Sequence, residues 1–431
     1  MQIAQHAVPG RTCWRSERAG RVAFLVDGAS YFGALAQALE RVQRRVLIVG
    51  WDFHGRTRLR PDAPADELPD ELGPRLDALA FTGGLDLTLR RWDTPEHRCD
   101  DPRRVAPDGR PYEPFHDVQI AVDGAAARAL GELARERWRR ATGEVLEPVC
   151  AASDPWPDAL QPDARDAPIA IARTESALDA GPPVREVQAL LRAAIADARR
   201  SIYIESQYFT APCAAEALRA RLAERDGPEV VLVLPARCSG WIEQNTMGRL
   251  RVDLVRSLRE ADRFQRLRVL APLAAGGAPI NVHSKLCIVD RSFLKIGSAN
   301  LSARSMAMDS ECDLVLECGE RADLRGAIGG LRTRLLAEHL GVSAGQFEAA
   351  LLLARGSLVA TIDALAGGER GLVPVTGCEQ AAGGDWMRSL PIDPEDALSI
   401  SAPAAKRGGL AFVAALLAAA GALLWVRRAR D

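Results

Sequence analysis

The sequence predicts an α/β protein made of two similar halves, the first of them shortened, followed by a transmembrane helix near the C-terminus. Three observations predict this architecture. Segments of helix-then-strand character recur in the same order in the two parts of the chain. The spacing between two of these segments is much shorter in the first part. An uncharged run of membrane-spanning length lies near the end of the chain, between clusters of basic residues.

The repeat consists of three pairs of matching segments. In the first pair, an apolar-periodic helix that ends in two arginines leads into a buried strand. In the second pair an apolar strand enters a glycine-containing turn, and in the third a strand and a turn precede an amphipathic helix. The paired segments are 46–53 and 202–209, 78–93 and 292–309, and 116–138 and 311–336. We therefore expect two homologous α/β halves.

The two halves differ in the stretch between the first and second segments. From Phe53 to Gly83 this stretch is far shorter than from Phe209 to Gly297. In the second half it contains the apolar run NVHSKLCIVD (281–290). We therefore expect the first half to lack a core strand that the second half has.

Composition sets the domain boundaries and the membrane prediction. The boundaries are a first half at 1–147, a Pro- and Asp-rich linker at 148–170, a second half at 171–366, a flexible tether at 367–407 and a transmembrane helix at 408–426. A buried core helix is the alternative for the last segment. Basic residues flank both of its ends and leave its orientation open. We expect a single-pass membrane protein with its catalytic part in the cytoplasm.

Charge and cysteine content exclude several kinds of site. The formal net charge of -2 gives no basic field for nucleic acid, which makes nucleic acid an unlikely partner. The nine cysteines show no Cys-x-x-Cys spacing, so neither a zinc site nor a disulfide framework is predicted. Positive charge is carried almost wholly by arginine, and the lysines are Lys285, Lys295 and Lys406. A lysine offers phosphate a point charge where arginine offers a planar fork.

The run at 281–290 and the turn that follows it carry the chemistry. His283 and Lys285 are two positions apart in an apolar strand pattern, so both side chains point to the same face. Asp290 follows this strand. A second strand ends at the turn Gly297-Ser298-Ala299-Asn300, where glycine permits close backbone approach and side chains can donate hydrogen bonds to phosphate oxygens.

This constellation resembles the signature of the phospholipase D superfamily. The matching pattern is His283-x-Lys285-x4-Asp290-x6-Gly297-Ser298-x-Asn300. The segments 83–97, 114–118 and 202–210 resemble parts of the bacterial two-domain phospholipase D or transphosphatidylase branch, with the first motif missing. The resemblance implies that each half is a mixed sheet flanked by helices. It implies no metal and no cofactor.

The resemblance also implies roles for individual residues. In the superfamily two His-x-Lys motifs meet; one histidine attacks phosphorus, and the other protonates the leaving alcohol. The implied catalytic residues are His283, Lys285, Asp290 and Glu311, and the implied substrate-binding residues are Gly297, Ser298 and Asn300. Asp290 has a structural or charge-balancing role. Glu311 is expected to accept a hydrogen bond from the His283 ring, and Asp117 to orient the ring of the missing histidine.

Two functions remain open. The first is a phospholipase D-like phosphodiesterase that hydrolyses glycerophospholipids to phosphatidic acid and an alcohol through a phosphohistidine, with a homodimer that brings two copies of His283 together. The alternative is a catalytically inactive membrane protein that only binds lipid phosphate. The expected partners are phospholipid and membrane. Of the other histidines, His116 is expected to make a structural hydrogen bond, His6 to lie in a loose terminus, and three to be surface or capping residues: His54, His97 and His339.

Overall fold

The computed structural model describes residues 5–41, 48–50, 52, 57, 59, 79–148, 154–177, 182–237, 246–375 and 393. The strands are β1 (Arg15–Val26), β2 (Leu79–Gly83), β3 (Phe115–His116), β4 (Val118–Asp123), β5 (Ala164–Glu175), β6 (Val184–Arg185), β7 (Ser201–Ser206), β8 (Glu229–Val233), β9 (Leu267–Leu273), β10 (Asn281–Val282), β11 (Lys285–Val289), β12 (Phe293–Gly297), β13 (Glu311–Glu317) and β14 (Gly371–Pro374). The helices are α1 (Asp27–Arg41), α2 (Gly124–Thr142), α3 (Glu186–Asp197), α4 (Pro212–Ala223), α5 (Met247–Ala261), α6 (Ala303–Ala307), α7 (Ala322–Leu340), α8 (Ala344–Leu353) and α9 (Leu358–Leu365).

One continuous mixed sheet runs through both halves. Its strand order is β14-β9-β8-β7-β11-β12-β13-β5-β1-β4-β2, and β6 pairs with β5 beside this path. The β7–β8 and β8–β9 pairs are parallel, whereas the other pairs along the path are antiparallel. The halves meet where β1 pairs with β5. The predicted mixed α/β architecture is confirmed, but the two halves share one sheet.

The strand order shows the repeat and its missing member. Outward from the β1–β5 pair, the first half runs β4 then β2, and the second half runs β13, β12, then β11. Gly83 of β2 packs against the Gln119 side chain as Gly297 of β12 packs against the Asp313 side chain. Within the described residues, no strand lies beyond β2 where the second half has β11.

The sheet is buried between two layers of helices. Helices α3, α4 and α5 cover one face with apolar residues that include Leu190, Leu218 and Leu258. Helices α2, α7, α8 and α9 cover the other face, where Leu331 and Phe347 are fully buried. Because both faces are covered, the strands are rich in apolar residues on both sides.

The structure differs from the expected boundaries at two places. Strand β5 begins at Ala164, inside the range expected to be a linker, because its apolar residues pair with β1 and β13. Strand β14 lies inside the range expected to be a tether, and its backbone pairs with β9 at the sheet edge. Both segments contain an apolar run flanked by polar residues. They form strands because they pack against neighbouring strands, although the composition around them is typical of loops.

The predicted transmembrane helix at 408–426 lies outside the described residues, as does most of the tether. Within the described part of the chain, no helix combines the length and hydropathy needed to cross a bilayer. Asp393 is described, and its carboxylate accepts hydrogen bonds from the Thr210 hydroxyl and from the backbone N–H groups of Ala303 and Arg304.

Candidate active site

A short parallel ladder between the halves positions His283. Strand β10 of the second half pairs with β3 of the first, with Val282 opposite His116. The His283 backbone N–H continues this ladder and donates to the His116 carbonyl at 2.8 Å. The residues that follow the two strands, His283 and Asp117, are therefore neighbours. Their side chains meet, with 2.8 Å between His283 Nδ1 and Asp117 Oδ2.

This contact fixes the proton on the His283 ring. A carboxylate can only accept, so Nδ1 carries the hydrogen and Nε2 keeps its lone pair. Burial and the nearby Lys285 ammonium lower the pKa of His283 to about 4. The ring is only 12% exposed and packs against Phe115, with 5.5 Å between ring centroids. At neutral pH His283 is thus a neutral imidazole with its nucleophilic nitrogen free.

Lys285 is a buried cation beside this ring. It begins β11, and its side chain is 4% exposed. Its ammonium donates to the His283 carbonyl and, at 3.4 Å, to the Gln207 side chain. Burial lowers the pKa of Lys285 to about 8, while the Asp117, Glu311 and Asp86 carboxylates act in the opposite direction. Among the described residues, the Lys285 ammonium therefore donates to two oxygen atoms and keeps a third N–H group for a ligand such as a phosphoryl oxygen.

The first half contributes further groups to the same site. A Cβ atom at Gly84 would lie 2.6 Å from Lys285 Cδ and 2.8 Å from the His283 carbonyl, so the backbone of this turn packs directly on the motif. Arg91 lies over the Phe115 ring, 5.0 Å from its centroid. Its charge lowers the pKa values of His283 and Lys285, and its Nε is buried without a hydrogen-bond partner among the residues that the structure describes.

Sequence reasoning missed Arg91 because arginines are abundant in this chain. The usable signal was its position in the segment 83–97, which also contains Gly84.

The turn after β12 contains Gly297, Ser298 and Asn300, as expected, but their contacts differ. Gly297 makes room for Asp313, whose Oδ1 would lie 1.9 Å from a Cβ atom at position 297, so this glycine serves packing. The Ser298 hydroxyl donates to Glu311 Oε2 at 2.5 Å and accepts from the Cys312 backbone N–H. The Asn300 Oδ1 atom is buried without a hydrogen-bond partner in the described structure.

The expected partner of the His283 ring was wrong. Glu311 accepts from Ser298 and Ser305, whereas Asp117 of the first half accepts from His283. The physical reason is the ladder between β3 and β10, which brings His283 of the second half against Asp117 of the first half. Glu311 occupies in its own half the place that Asp117 occupies in the first, at the start of the strand next to the central pair.

Asp290 does not belong to the reacting groups. It lies at the opposite end of β11 from His283, roughly 20 Å away at ~3.3 Å per residue. Its carboxylate accepts from the backbone N–H groups of Arg199, Arg200 and Ser201 at 2.5, 2.7 and 2.8 Å. Asp290 thus anchors the β11–β12 turn to the start of β7, which confirms a structural role and corrects its place among the catalytic residues.

Replacing Asp290 by alanine is expected to lower the free energy of unfolding by about 1–3 kcal/mol, because three backbone donors lose their acceptor. Turnover per folded molecule should stay near the wild-type value. Urea unfolding and activity corrected for the folded fraction measure the two effects. A loss of turnover without a loss of stability would return Asp290 to the reacting groups.

Replacing Gly84 by alanine is expected to lower turnover roughly 100-fold, because the new methyl group displaces the Lys285 side chain and the His283 backbone. Gly326→Ala in α7 is the matched control, since a Cβ atom there meets nothing within 4 Å. Steady-state kinetics of both variants check this. Equal turnover in the two variants would show that the Gly84 turn does not touch the site.

Three histidines that were assigned to other roles form a buried network. His97, His116 and His339 are fully buried, so His97 and His339 do not lie at the surface, which was one of the two positions expected for them. His116 Nδ1 contacts Asp27 and its Nε2 contacts Glu205, each at 2.9 Å. Burial opposes the charged form of His116, but these two carboxylates raise its pKa well above the usual value. The expected structural role of His116 fits these contacts.

His6 was expected to lie in a loose N-terminus, and this prediction was also wrong. The His6 ring is buried, and its Nδ1 lies 2.6 Å from Glu317 Oε1.

Part of the buried network has the composition of a metal site. Donor atoms of Asp27, His97, His116 and Glu338 lie within 4.8 Å of one another. Two imidazoles and two carboxylates are donors that a divalent cation of the zinc type accepts. His97 Nδ1 also contacts Asp93 at 2.8 Å, an arrangement that orients a ligating histidine. These residues could hold a cation, or the same contacts can be made by protonated histidines.

Comparisons with known proteins agree with the motif. The family model described as "Cardiolipin synthase, PLD-like domain" matches residues 191–323. Phospholipase D alpha 1 of Brassica oleracea var. capitata is 25% identical over 386 residues, covering 64% of this chain and 48% of that protein. Cardiolipin synthase A of Pseudomonas syringae pv. syringae (strain B728a) is 25% identical over 342 residues, covering 68% of this chain and 64% of that protein. The chain thus spans about half the length of the plant relative.

A solved structure also aligns with the chain. Phosphatidylserine synthase of Haemophilus influenzae Rd KW20 covers 81% of this chain and 96% of its own, with 11% identity and a TM-score of 0.47. The region matched by the family model contains β7 to β13, which includes His283, Lys285 and the turn after β12.

Proposed function

Because this chain belongs to the phospholipase D superfamily, we propose that it cleaves the phosphodiester of a glycerophospholipid and releases phosphatidic acid and an alcohol. The names of its relatives, a phospholipase D and a cardiolipin synthase, support a phospholipid substrate. The single observation that carries the proposal is the His283–Asp117 contact at 2.8 Å, which leaves Nε2 of a neutral imidazole free to attack phosphorus.

The charge in the site suits a phosphoryl group. Lys285 and Arg91 are both cations close to His283, and each lowers its pKa. A phosphodiester that binds there brings its negative charge next to both cations, and the charge that develops in the transition state is stabilised by groups already in place. Arg91 supplies the positive charge that the absent lysine of the first half does not. We also propose that the N–H groups of the Asn300 side chain donate to a phosphoryl oxygen; the Oδ1 atom of this side chain is buried without a hydrogen-bond partner among the described residues.

The proposed site is complete within one chain as far as the attacking group is concerned. His283 has its acid in the first half of the same chain, and the ladder between β3 and β10 joins the two halves directly beside it. We therefore propose that the reaction does not depend on a homodimer. Turnover per chain that stays constant on dilution supports this proposal, and turnover that falls in step with a dimer's dissociation contradicts it.

The experiment for the function measures phosphatidic acid released from phosphatidylcholine vesicles by the full chain, with and without a short primary alcohol. Release that His283→Ala abolishes supports the proposal. Formation of a phosphatidyl alcohol in its place identifies transfer through a covalent intermediate. Single-stranded and duplex DNA serve as competing phosphodiesters, and cleavage of DNA with no cleavage of lipid would overturn the proposal.

A second candidate function is lipid-phosphate binding without turnover. It is favoured by one specific observation, namely that the described part of the site contains His283 and no second histidine. Binding of the vesicles by a folded protein that releases no phosphatidic acid would select this candidate. Lys285→Ala should then weaken vesicle binding, because the buried ammonium is the cation that lowers the pKa of the His283 ring most.

The pH dependence of the proposed reaction follows from the two pKa values. His283 must be neutral, so kcat/KM rises with pH through about 4. Lys285 must be charged, so kcat/KM falls as pH rises through about 8. A para-nitrophenyl phosphodiester is the appropriate substrate, since its leaving group needs no proton. A profile that is flat from pH 6 to 10 would contradict the assigned role of Lys285.

We also propose that the full chain associates with membranes through residues 408–426. The apolar run and its basic flanks support this proposal. Vesicle flotation of the full chain, compared with a chain that ends at residue 407, tests it. Equal flotation of the two chains would contradict it.

A further inference from the structure

The two halves each present one carboxylate at the start of an equivalent strand. Asp117 precedes β4 and Glu311 begins β13, and these strands flank the central β1–β5 pair on either side. Asp117 contacts the imidazole of His283. The symmetry of the repeat would give Glu311 an imidazole of its own, but among the described residues its side-chain partners are the hydroxyls of Ser298 and Ser305.

The described histidines other than His283 are engaged elsewhere. His97, His116 and His339 belong to the buried network, and His6 contacts Glu317. Glu311 therefore has no histidine partner among the described residues. Its carboxylate is close enough to Lys285 to raise the pKa of that ammonium.

The surroundings of Glu311 suit a proton donor. The residue is 7% exposed, and burial raises the pKa of its carboxyl group although the two serine hydroxyls act against this shift. Ser298 links it to the phosphate-facing turn after β12, through the hydrogen bond at 2.5 Å. A carboxylic acid in such a place is a general acid and, once ionised, a general base.

We propose that Glu311 takes over the acid–base role that a second histidine would have, at the site whose function is proposed above. In the first step His283 Nε2 forms a bond to phosphorus, the bond from phosphorus to the alcohol oxygen breaks, and Glu311 gives its proton to that oxygen. In the second step the Glu311 carboxylate takes a proton from water, the water oxygen bonds to phosphorus, and the P–N bond breaks. The products are an alcohol and phosphatidic acid, and both residues return to their starting states.

The test compares two leaving groups in the full-length protein carrying Glu311→Gln. One substrate is phosphatidylcholine, whose alcohol must be protonated, and the other is the para-nitrophenyl ester of the same phosphatidic acid, whose leaving group need not be. The expected result is a fall in kcat/KM of roughly 10²–10³-fold on phosphatidylcholine and near wild-type kcat/KM on the nitrophenyl ester, because kcat/KM ends at formation of the covalent intermediate. The kcat on both substrates should fall, since Glu311 also activates the water of the second step. An equal fall of kcat/KM on both substrates, or no fall on either, would overturn the role.

Two further measurements test the proposed role of Glu311 without relying on the Glu311→Gln variant. In the wild-type protein, the alkaline limb of the kcat/KM profile should lie at lower pH for phosphatidylcholine than for the nitrophenyl ester, since only the first reaction needs protonated Glu311. His54→Ala, a histidine outside the described residues, should keep wild-type turnover on both substrates. Coincident alkaline limbs, or loss of phosphatidylcholine turnover in His54→Ala, would overturn the role of Glu311.

Failure of this inference is distinguishable from failure of the proposed function. If the wild-type protein cleaves the nitrophenyl ester and His283→Ala does not, the covalent site stands, and the Glu311 result alone decides the inference. If the wild-type protein and His283→Ala do not differ on the nitrophenyl ester, the proposed function falls and the role of Glu311 falls with it.

Discussion

Replacing His283 by alanine is expected to lower turnover by roughly 10⁴-fold or more on every phosphodiester that the protein cleaves, because no other described group is placed to attack phosphorus. The measurement is the initial rate on phosphatidylcholine and on its para-nitrophenyl counterpart. Loss of the His283–Asp117 contact leaves a buried carboxylate without its donor and costs about 1–3 kcal/mol of stability.

Urea unfolding of the same preparation is the control for this variant, since a marginally stable variant would lose activity through unfolding. Turnover is then expressed per folded molecule. Substantial residual turnover by folded His283→Ala on both substrates would mean that the attacking group lies elsewhere in the chain.

Replacing Asp117 by asparagine is expected to lower turnover on the nitrophenyl ester by about 10⁴-fold, the size of effect that the same change has in a serine-protease triad. The asparagine amide can donate to Nδ1, which moves the ring proton to Nε2 and blocks the attacking atom. The substitution changes little in volume, so the fold should persist. Initial rates and unfolding curves measure both effects.

Glu311→Gln is the matched control for Asp117→Asn, because it makes the same chemical change at the equivalent position of the other half. On the nitrophenyl ester we expect a large loss of kcat/KM for Asp117→Asn and little loss of kcat/KM for Glu311→Gln. The opposite order would mean that Glu311 orients the His283 ring, as the sequence alone suggested, and that the contact across the halves is not the working one.

Much of the fold was predictable because it depends on local patterns. Two of the three pairs of segments that identified the repeat correspond to β2 and β12 and to the β4–α2 and β13–α7 units. In the first pair, 202–209 contains most of β7, but the buried strand predicted at 46–53 is not found at residues 48–50, which are exposed, and most of the other residues of that segment lie outside the described part of the chain. The apolar run at 281–290 was recognised as the strand region that the first half lacks, and the order of strands is consistent with that prediction. The single sheet was not predictable, because the β1–β5 pairing joins segments far apart in sequence.

The sequence predicted which residues belong to the candidate site. It did not predict which carboxylate contacts His283. His283 and Lys285 are two positions apart in sequence, so their proximity is local. The partner of His283 is set by the ladder between β3 and β10, a contact between halves that no local pattern encodes. The buried histidines were missed for the same reason, since His116 and Glu205 meet at 2.9 Å only after both halves have folded.

The most direct test of the account is detection of the covalent intermediate on His283. A short-chain phosphatidylcholine is mixed with the full chain for a fraction of one turnover, the reaction is stopped in alkali to preserve a phosphohistidine, and the peptides are analysed by mass spectrometry. The account predicts a phosphatidyl group on the peptide that contains His283, formed in the wild-type protein and absent in His283→Ala. A peptide that stays unmodified while phosphatidic acid accumulates, or an adduct on another residue, would contradict it.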